Sequence, residues 1–336
     1  MKISRTKLET LQACARPSGI IAALAMDQRV SLFKSLAAAS KTPFSDAQFA
    51  EFKTVVSQVL TPYTSAILLD PEYGWEAGRE RAAGTGLLMA YEQSGYDNSK
   101  PGRLPDLEPR WSVRRLAEAG ATAVKLLIYY NPFDEAKVND VKETLVERVG
   151  AECEALGLAY FLEPLVYDDA LPDAAAFAAQ KPRYVGETVR VFSHDRYAVD
   201  ILKIEVPVPG DYVSGLSREP KAPLFSRDEA ARHLREVGAL AAKPFIYLSG
   251  GVDMPVFTDL LNLAGENDVP FCGVLCGRAT WKGGIPIFAE GGREALKSHL
   301  EEVGVANVER LNEVLDRYAK PWHQPYGGLE GLEVNN

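Results

Sequence analysis

The stretch DILKIEV, residues 200–206, is an apolar run with one lysine, Lys203, at its centre. Its branched side chains and lack of polar alternation are typical of a strand buried on both faces of a parallel sheet. Seven further runs of this kind occur along the chain: GIIAALAMD (19–27), SAILLD (65–70), GLLMAYE (86–92), AVKLLIYYN (123–131), AYFLEPL (159–165), PFIYLSGG (244–251) and PFCGVLCG (270–277). The sequence therefore predicts eight buried strands.

Segments of helical period separate most of these runs, and three carry helix-end signals: residues 45–63, 138–157 and 226–242. Ser45 or Asp46 is a candidate N-cap of the first segment, and Gly157 is a candidate C-cap of the second. Ser226 followed by Glu229 is a capping-box pattern at the start of the third. Long amphipathic helices are therefore expected between the strands.

Strands that alternate with helices of this length predict parallel βαβ units. Eight such units predict a closed (β/α)8 TIM barrel with its helices outside. The alternative is an open doubly wound sheet, but no GxGxxG turn follows the first run to support it. We expect one barrel domain over residues 1–336, with a helical and then Pro/Gly-rich extension from about residue 307 that docks on the barrel or on a partner subunit.

The composition is that of a soluble globular protein without general affinity for polyanions. Of the 336 residues, 46% are hydrophobic and 25% are charged, and the formal net charge is −9 with no basic block. This balance argues against binding to nucleic acid or to anionic membranes. The amino-terminal stretch has no signal-type apolar run, and no segment reaches the ~18 apolar residues of a membrane helix. Because Cys14, Cys153, Cys272 and Cys276 are predicted to be buried reduced thiols, we expect a cytoplasmic protein.

Four ionisable residues lie at or near the carboxyl ends of predicted strands, where such barrels carry their chemistry: Asp27, Lys125, Glu163 and Lys203. They belong to the first, fourth, fifth and sixth runs, so we expect them to converge on one pocket. Each has a structural alternative: Asp27 as a helix N-cap, Lys125 as a snorkelling strand lysine, and Glu163 with Lys203 as a buried ion pair. Unpaired buried charge costs several kcal/mol, so the four together favour a catalytic site.

This combination suits catalysis by an amine. A lysine is a poor nucleophile at neutral pH because its reference pKa is about 10.4. Burial of Lys203 and a second cation nearby, Lys125, favour the neutral amine, which can attack a ketone. The imine that forms withdraws electrons from the adjacent carbon–carbon bond. Glu163, one strand away, is a candidate to move the protons.

Two later segments predict an anion site. YLSGGVD (247–253) brings Ser249, Gly250 and Gly251 just after the seventh predicted strand, and VLCGRAT (274–280) brings Gly277 and Arg278 just after the eighth. The loops after strands seven and eight commonly bind phosphate in barrels of this class. Glycine permits close approach of the backbone to a ligand, and Arg278 adds a forked cationic donor. We therefore expect a phosphate at this edge.

Neither a metal site nor an organic cofactor is indicated by the sequence. None of the four histidines, His194, His233, His299 and His323, lies at a predicted strand end, and no HxxH or HExxH spacing occurs. A zinc-dependent route to the same chemistry therefore lacks its ligands. The sequence predicts a reaction that needs no metal and no cofactor.

Six blocks in order resemble the tagatose 1,6-diphosphate aldolase family: GIIAALAMDQR, AVKLLIYYN, YFLEPLVY, DILKIEVPV, YLSGGV and FCGVLCGRATW. These enzymes are class I, Schiff-base aldolases of (β/α)8 fold. The resemblance implies that Lys203 is the Schiff-base lysine, that Glu163 is the general acid/base, and that Asp27 and Lys125 assist. The residues that it implies for the phosphate nearest the ketone are Ser249, Gly250, Gly277 and Arg278. Gln28 and Arg29 are candidates for contacts to substrate hydroxyls or to the distal phosphate.

The reaction implied is the reversible cleavage of D-tagatose 1,6-bisphosphate to dihydroxyacetone phosphate and D-glyceraldehyde 3-phosphate, a step of lactose and galactose breakdown. The family resemblance also implies tolerance of C4 epimers such as fructose 1,6-bisphosphate. Similar enzymes cleave 6-deoxy-6-sulfofructose 1-phosphate, and residues 208–230, which depart from the expected pattern, are a candidate lining of the distal anion pocket. The alternatives are a barrel enzyme with acid/base chemistry alone and a non-catalytic barrel that binds a sugar phosphate. A homo-oligomer fits this fold class.

Overall fold

The computed structural model describes residues 1–96, 99–220 and 222–335. After a short strand β1 (Lys2–Ser4), eight parallel strands form a barrel in chain order: β2 (Ile21–Ala25), β3 (Ala66–Leu69), β4 (Gly86–Ala90), β5 (Ala123–Tyr130), β6 (Ala159–Val166), β7 (Ile201–Glu205), β8 (Phe245–Leu248) and β9 (Gly273–Cys276). Strand β2 pairs with both β3 and β9, which closes the barrel. Each of the eight predicted runs corresponds to one of these strands, with β6 extending one residue beyond its run, so the predicted (β/α)8 TIM barrel is confirmed.

Helices cover the outside of the barrel. They are α1 (Arg5–Ala13), α2 (Val30–Ala39), α3 (Asp46–Leu60), α4 (Trp75–Arg79), α5 (Val113–Glu118), α6 (Ala136–Leu156), α7 (Ala174–Phe192), α8 (Arg227–Leu240), α9 (Met254–Glu266), α10 (Arg278–Trp281), α11 (Gly284–His299) and α12 (Val305–Tyr318). Within the described residues, no helix is both long enough and apolar enough to cross a membrane.

The predicted helix ends are present. Ser45, not Asp46, is the N-cap of α3, and it forms a reciprocal capping box with Gln48. Gly157 ends α6 in the left-handed conformation, with φ of 63°. That helix begins at Ala136, two residues before the predicted segment. The capping box of Ser226 and Glu229 starts α8 as predicted.

Alternate residues of the strands point into the barrel, and this register decides which side chains meet there. The interior cluster contains Ala123 of β5, Phe161 of β6 and Ile201 of β7. Because side chains two residues apart share one face of a strand, Lys125, Glu163 and Lys203 also point inward, one layer closer to the carboxyl end. Small interior side chains on β2 to β4 leave space for these longer ones.

The amino-terminal end of the barrel is closed by the two chain termini. Strand β10 (Glu333–Asn335) pairs in parallel with β1, and the Trp322 side chain, 1% exposed, joins the interior cluster. The Trp322 amide donates to the carbonyl of Gly19, 2.9 Å away, just before β2. The tail therefore lies at the opposite end of the barrel from the strand ends that carry the polar side chains.

The four cysteines are buried and unpaired, as predicted. Burial raises the pKa of the Cys276 thiol to about 12, so this thiol stays protonated at neutral pH.

Candidate active site

Lys203 is inside the protein rather than at its surface. The residue is 3% exposed, and its Nζ donates to Glu163 Oε2 at 2.8 Å. The pair crosses from β7 to the adjacent strand β6. Charge compensation by Glu163 explains how an ammonium group is accommodated in an otherwise apolar strand.

Lys125 lies beside this pair and is 0% exposed, so the snorkelling alternative is wrong. Three carboxylates surround its Nζ: Asp27 Oδ2 at 2.8 Å, Glu92 Oε1 at 2.7 Å and Glu163 Oε2 at 2.8 Å. The same oxygen of Glu163 thus contacts both ammonium groups. The structure brings together the four residues singled out from the sequence, and it adds Glu92.

Asp27 does not cap the helix that follows it. The N-cap position of α2 is Arg29, and no side chain caps that end. The Asp27 carboxylate instead binds Lys125. The helix-cap alternative for Asp27 is therefore wrong, and its carboxylate belongs to the charged cluster.

The electrostatics of the cluster keep Lys125 protonated. Burial alone would lower the pKa of Lys125, but Asp27, Glu163 and Glu92 raise that pKa well above its usual value. Burial would likewise raise the pKa of Asp27, but Lys125 and then Lys203 hold it well below its usual value. A permanent cation therefore lies close to Lys203, on the other side of the oxygen of Glu163 that both lysines contact.

Glu92 was missed in the sequence, although a signal for it was present. It closes the run GLLMAYE just as Asp27 closes GIIAALAMD. Burial raises the pKa of Glu92, and Lys125 opposes that rise. A polar residue that ends an apolar run at the carboxyl edge of a barrel is as good a candidate as one within the run.

The two predicted anion-binding loops contact each other. Gly250 and Gly251 have φ of 59° and 86°, and a Cβ added at Gly251 would lie 2.8 Å from the guanidinium carbon of Arg278. Arg278 is exposed and has no ion-pair partner among the residues that the structure describes. Ser249 is buried at the end of β8, beside them. An arginine, a hydroxyl and glycine amides at one edge fit a phosphate group.

Gln28 faces the anion edge, the site formed by residues 249–251, 277 and 278. The two Nη groups of Arg29 are instead bound within the protein. A Cβ added at Gly277 would lie 3.5 Å from Gln28 Nε2, and Gln28 Oε1 is buried without a hydrogen-bond partner in the described structure. Arg29 forms a buried ion pair with Glu108 and donates to the main-chain carbonyl of Glu92. Gln28 therefore remains a candidate substrate contact, while both Nη groups of Arg29 are used within the protein.

A second buried ion pair supports the segment that carries Asp27. Lys53 on α3 and Asp70 after β3 pair with both side chains 0% exposed. Lys53 Nζ also donates to the carbonyls of Met26 and Gln28, each at 3.0 Å. Neither residue was predicted: Asp70 ends an apolar run, but nothing in the sequence links it to Lys53.

Residues 208–220 lie next to the anion edge. Arg218 pairs with Asp211 and, at 3.2 Å, with Asp253, which precedes α9 and follows Gly251 by two residues. Gly210 packs closely on Val256 of the same helix. Lys221, in the middle of the predicted lining segment 208–230, is outside the described residues. A role of this segment in holding the distal anion stays a prediction.

No group of three or more His, Cys, Asp or Glu side chains within the described ranges is arranged to hold a metal ion.

Comparisons with known proteins agree with this geometry. The model of the DeoC/LacD family aldolases matches residues 21–283. The chain is 44% identical to the tagatose 1,6-diphosphate aldolase of Listeria monocytogenes serotype 4b over 99% of its own length and 98% of the relative's. It is also 44% identical to the enzyme of that name from Staphylococcus epidermidis, over 96% and 99% of the two chains.

Solved structures with this fold include a fructose-bisphosphate aldolase from Plasmodium falciparum, with a TM-score of 0.67, 14% identity and coverage of 95% of this chain and 97% of that one. An archaeal fructose 1,6-bisphosphate aldolase has a TM-score of 0.54 at 14% identity, with coverage of 89% and 99%. At 14% identity, the similarity to these structures shows the fold alone.

Proposed function

We propose that this chain, which belongs to the tagatose 1,6-diphosphate aldolases of the DeoC/LacD family, cleaves D-tagatose 1,6-bisphosphate reversibly into dihydroxyacetone phosphate and D-glyceraldehyde 3-phosphate through an imine on Lys203. Membership makes the chain an aldolase, a carbon–carbon lyase. The observation that carries the imine chemistry is the pair of buried lysines that share one oxygen of Glu163. The names of the 44% identical relatives support the substrate.

Imine formation begins at Lys203. The neutral amine attacks the C2 ketone, a C–N bond forms, and the carbonyl oxygen takes up a proton to give a carbinolamine. Loss of water then gives the protonated imine. Glu163 Oε2, 2.8 Å from Lys203 Nζ, is within reach to accept and return these protons. The ammonium of Lys125 polarises the C2 carbonyl oxygen and stabilises the charge that develops on it.

The bond cleavage uses the imine as the electron sink. Glu163 takes the proton of the C4 hydroxyl, the C3–C4 bond breaks, and its electron pair moves into the imine to give an enamine. The aldehyde leaves as D-glyceraldehyde 3-phosphate. Protonation of the enamine at C3 and hydrolysis of the imine release dihydroxyacetone phosphate and regenerate Lys203. The proposal needs no metal ion, because the cationic nitrogen stabilises the carbanion.

The phosphate of the ketone half is proposed to bind at Ser249, Gly250, Gly277 and Arg278. Arg278 supplies a forked donor, and the glycine backbone amides approach the oxygens closely. Binding of this phosphate fixes the C2 carbonyl relative to Lys203, so the reacting atoms are already oriented when the amine attacks. Because the imine chemistry does not itself select the C4 configuration, we expect fructose 1,6-bisphosphate to be cleaved as well.

Reductive trapping tests the proposal. The protein is incubated with dihydroxyacetone phosphate, reduced with borohydride, and examined by intact-mass spectrometry and peptide mapping. We expect one adduct on the peptide that carries Lys203. Lys203→Arg cannot form the imine because a guanidinium stays protonated, so it should give no adduct and lose activity roughly 1,000-fold or more. Lys137→Arg, an exposed lysine on α6, is the matched control and should behave as wild type.

Three outcomes contradict the proposal in different ways. An adduct on Lys125 would keep the reaction and reverse the roles of the two lysines. Binding without an adduct would favour acid/base chemistry or a sugar-phosphate sensor. Cleavage of 6-deoxy-6-sulfofructose 1-phosphate in preference to both bisphosphates would keep the mechanism and change the substrate.

A further inference from the structure

Glu92 is bound at both carboxylate oxygens and at its main-chain carbonyl. Its Oε1 accepts from Lys125 Nζ at 2.7 Å, and its Oε2 accepts from the amide of Leu127 at 2.9 Å. The carboxylate thus bridges the side chain of Lys125 to the backbone of the same strand, β5, two residues further on. A side chain held in this way has one orientation, and so does the lysine that it binds.

The hydrogen bonds to Glu92 also connect it to the segment that carries Asp27. The guanidinium of Arg29 donates to the carbonyl of Glu92 and pairs with Glu108. The amide of Glu108 in turn donates to the carbonyl of Tyr91 at 2.9 Å. Asp27 and Glu92, which contact Lys125 from two sides, therefore belong to one connected network.

We infer that Glu92 is a positioning residue for the aldol reaction, which holds the ammonium group of Lys125 in contact with Asp27 and Glu163. The inference rests on the proposed function. Lys125 Nζ donates to Asp27 Oδ2 and Glu92 Oε1, and Glu163 Oε2 lies 2.8 Å away as the third ionic partner of this ammonium group. With one donor fixed by Glu92, Glu163 remains shared between Lys125 and Lys203, as proton transfer at Lys203 requires.

The charged groups around Glu92 set the expected pH behaviour. Those that face it directly are Lys125, Asp27 and Arg29; Glu163 and Lys203 follow through Lys125, and Glu108 follows through Arg29. Removing the negative charge of Glu92 favours proton loss from the ionisable groups of the cluster. Both limbs of the kcat/KM profile should therefore shift to lower pH.

Two substitutions separate charge from placement. Glu92→Gln keeps the shape but removes the charge, and its amide can accept from only one of the two donors. Glu92→Asp keeps the charge but is one methylene too short to bridge Lys125 and the Leu127 amide. For both variants we expect kcat to fall on the order of 10- to 100-fold with KM within about twofold, because a displaced proton-transfer group slows the chemistry rather than binding. Only E92Q should shift both limbs of the kcat/KM profile to lower pH.

Asp106→Asn is the matched control, since it removes a charge from an exposed position in the same loop without contact to Lys125. Its kcat and pH limbs should equal those of wild type. Wild-type kcat and unshifted limbs in E92Q would overturn the inference, as would a uniform loss at all pH values, which is what partial misfolding produces. If E92Q does not fold, E92D decides: wild-type kcat would contradict positioning, and a lowered kcat at unchanged KM supports it.

Borohydride trapping of wild type, E92Q and E92D with dihydroxyacetone phosphate distinguishes a failure of the Glu92 inference from a failure of the proposed function. A wild-type adduct at Lys203 with slower trapping in both variants supports positioning. A wild-type adduct with unchanged trapping rates and kcat in the variants overturns the inference alone. Absence of a wild-type adduct overturns the proposed function, and the inference with it.

Discussion

Buried charge in the cluster around Lys125 and Lys203 is compensated residue by residue. Lys203 and Lys125 share Glu163, and Asp27 and Glu92 complete the shell around Lys125. Removal of one member of a buried pair leaves an uncompensated charge and typically costs about 3–5 kcal/mol. Substitutions within the cluster therefore affect stability as well as activity, and conservative variants are the informative ones.

Gly251 offers a test of the anion edge at the scale of one atom. A Cβ at this position would lie 2.8 Å from the guanidinium of Arg278, so Gly251→Ala should displace that side chain. We expect KM for the bisphosphate to rise on the order of 10-fold, because a charge-assisted hydrogen bond is worth about 1.5–3 kcal/mol. Steady-state kinetics on the purified variant measures this rise.

Gly84→Ala, just before β4 and outside the proposed phosphate site, is the matched control for that substitution. Its φ of 83° imposes a similar backbone strain, but an added Cβ would meet no atom within 4 Å. It should therefore lose stability with less effect on KM. Equal KM values for the two variants would mean that Arg278 does not bind the phosphate.

A buried charged residue could be predicted from the sequence only where its own position in an apolar run marked it. Lys203, Lys125 and Glu163 are charged residues within apolar runs, so their position alone marks them. Glu92 and Asp70 end apolar runs, a weaker form of the same signal. Glu108 and Lys53 could not be predicted, because their roles depend on ion pairs with residues that are distant along the chain, Arg29 and Asp70.

At the scale of elements, the short segment between β2 and α2 connects the cluster to the anion edge. It carries Asp27 and Gln28, and its carbonyls at Met26 and Gln28 accept hydrogen bonds from Lys53 of α3. Asp70 compensates the charge of Lys53 and also accepts from the amides of Glu72 and Tyr73. A buried ion pair outside the chemistry thus fixes the backbone on which the chemistry depends.

Lys53→Met tests this support. The substitution leaves Asp70 buried without its cation and should lower the free energy of unfolding by about 3–5 kcal/mol. Because two carbonyls of the Asp27 segment also lose their donor, kcat should fall together with stability. The double variant Lys53→Met with Asp70→Asn removes both charges and keeps the Oδ1 acceptor of the Glu72 and Tyr73 amides, so it should recover stability but not kcat. Urea denaturation and kinetics measure the two effects, with exposed Lys34→Met on α2 as the control. Recovery of kcat in the double variant would contradict the support role.

Across the whole molecule, the contacts between the two chain termini and the charged cluster lie at opposite ends of the barrel. The eight strands were predictable because each is a continuous apolar run, and parallel strands buried on both faces leave that signal. The pairing of β1 with β10 was not, because both strands have three residues and β10 is exposed throughout. Contacts between the two termini depend on where the closed barrel places them, which local patterns do not encode.

Trp322 allows this separation to be tested. Its side chain fills the amino-terminal end of the barrel, away from the strand ends that hold Lys125 and Lys203. Trp322→Ala should therefore lower the free energy of unfolding by roughly 3–5 kcal/mol, the usual cost of a large cavity, and leave kcat within about twofold. Leu329→Ala, 44% exposed in the same tail, should change neither quantity appreciably. Denaturant unfolding and kinetics of the folded variant provide both values. A large loss of kcat in folded W322A would mean that the tail controls the geometry of the strand ends across the barrel.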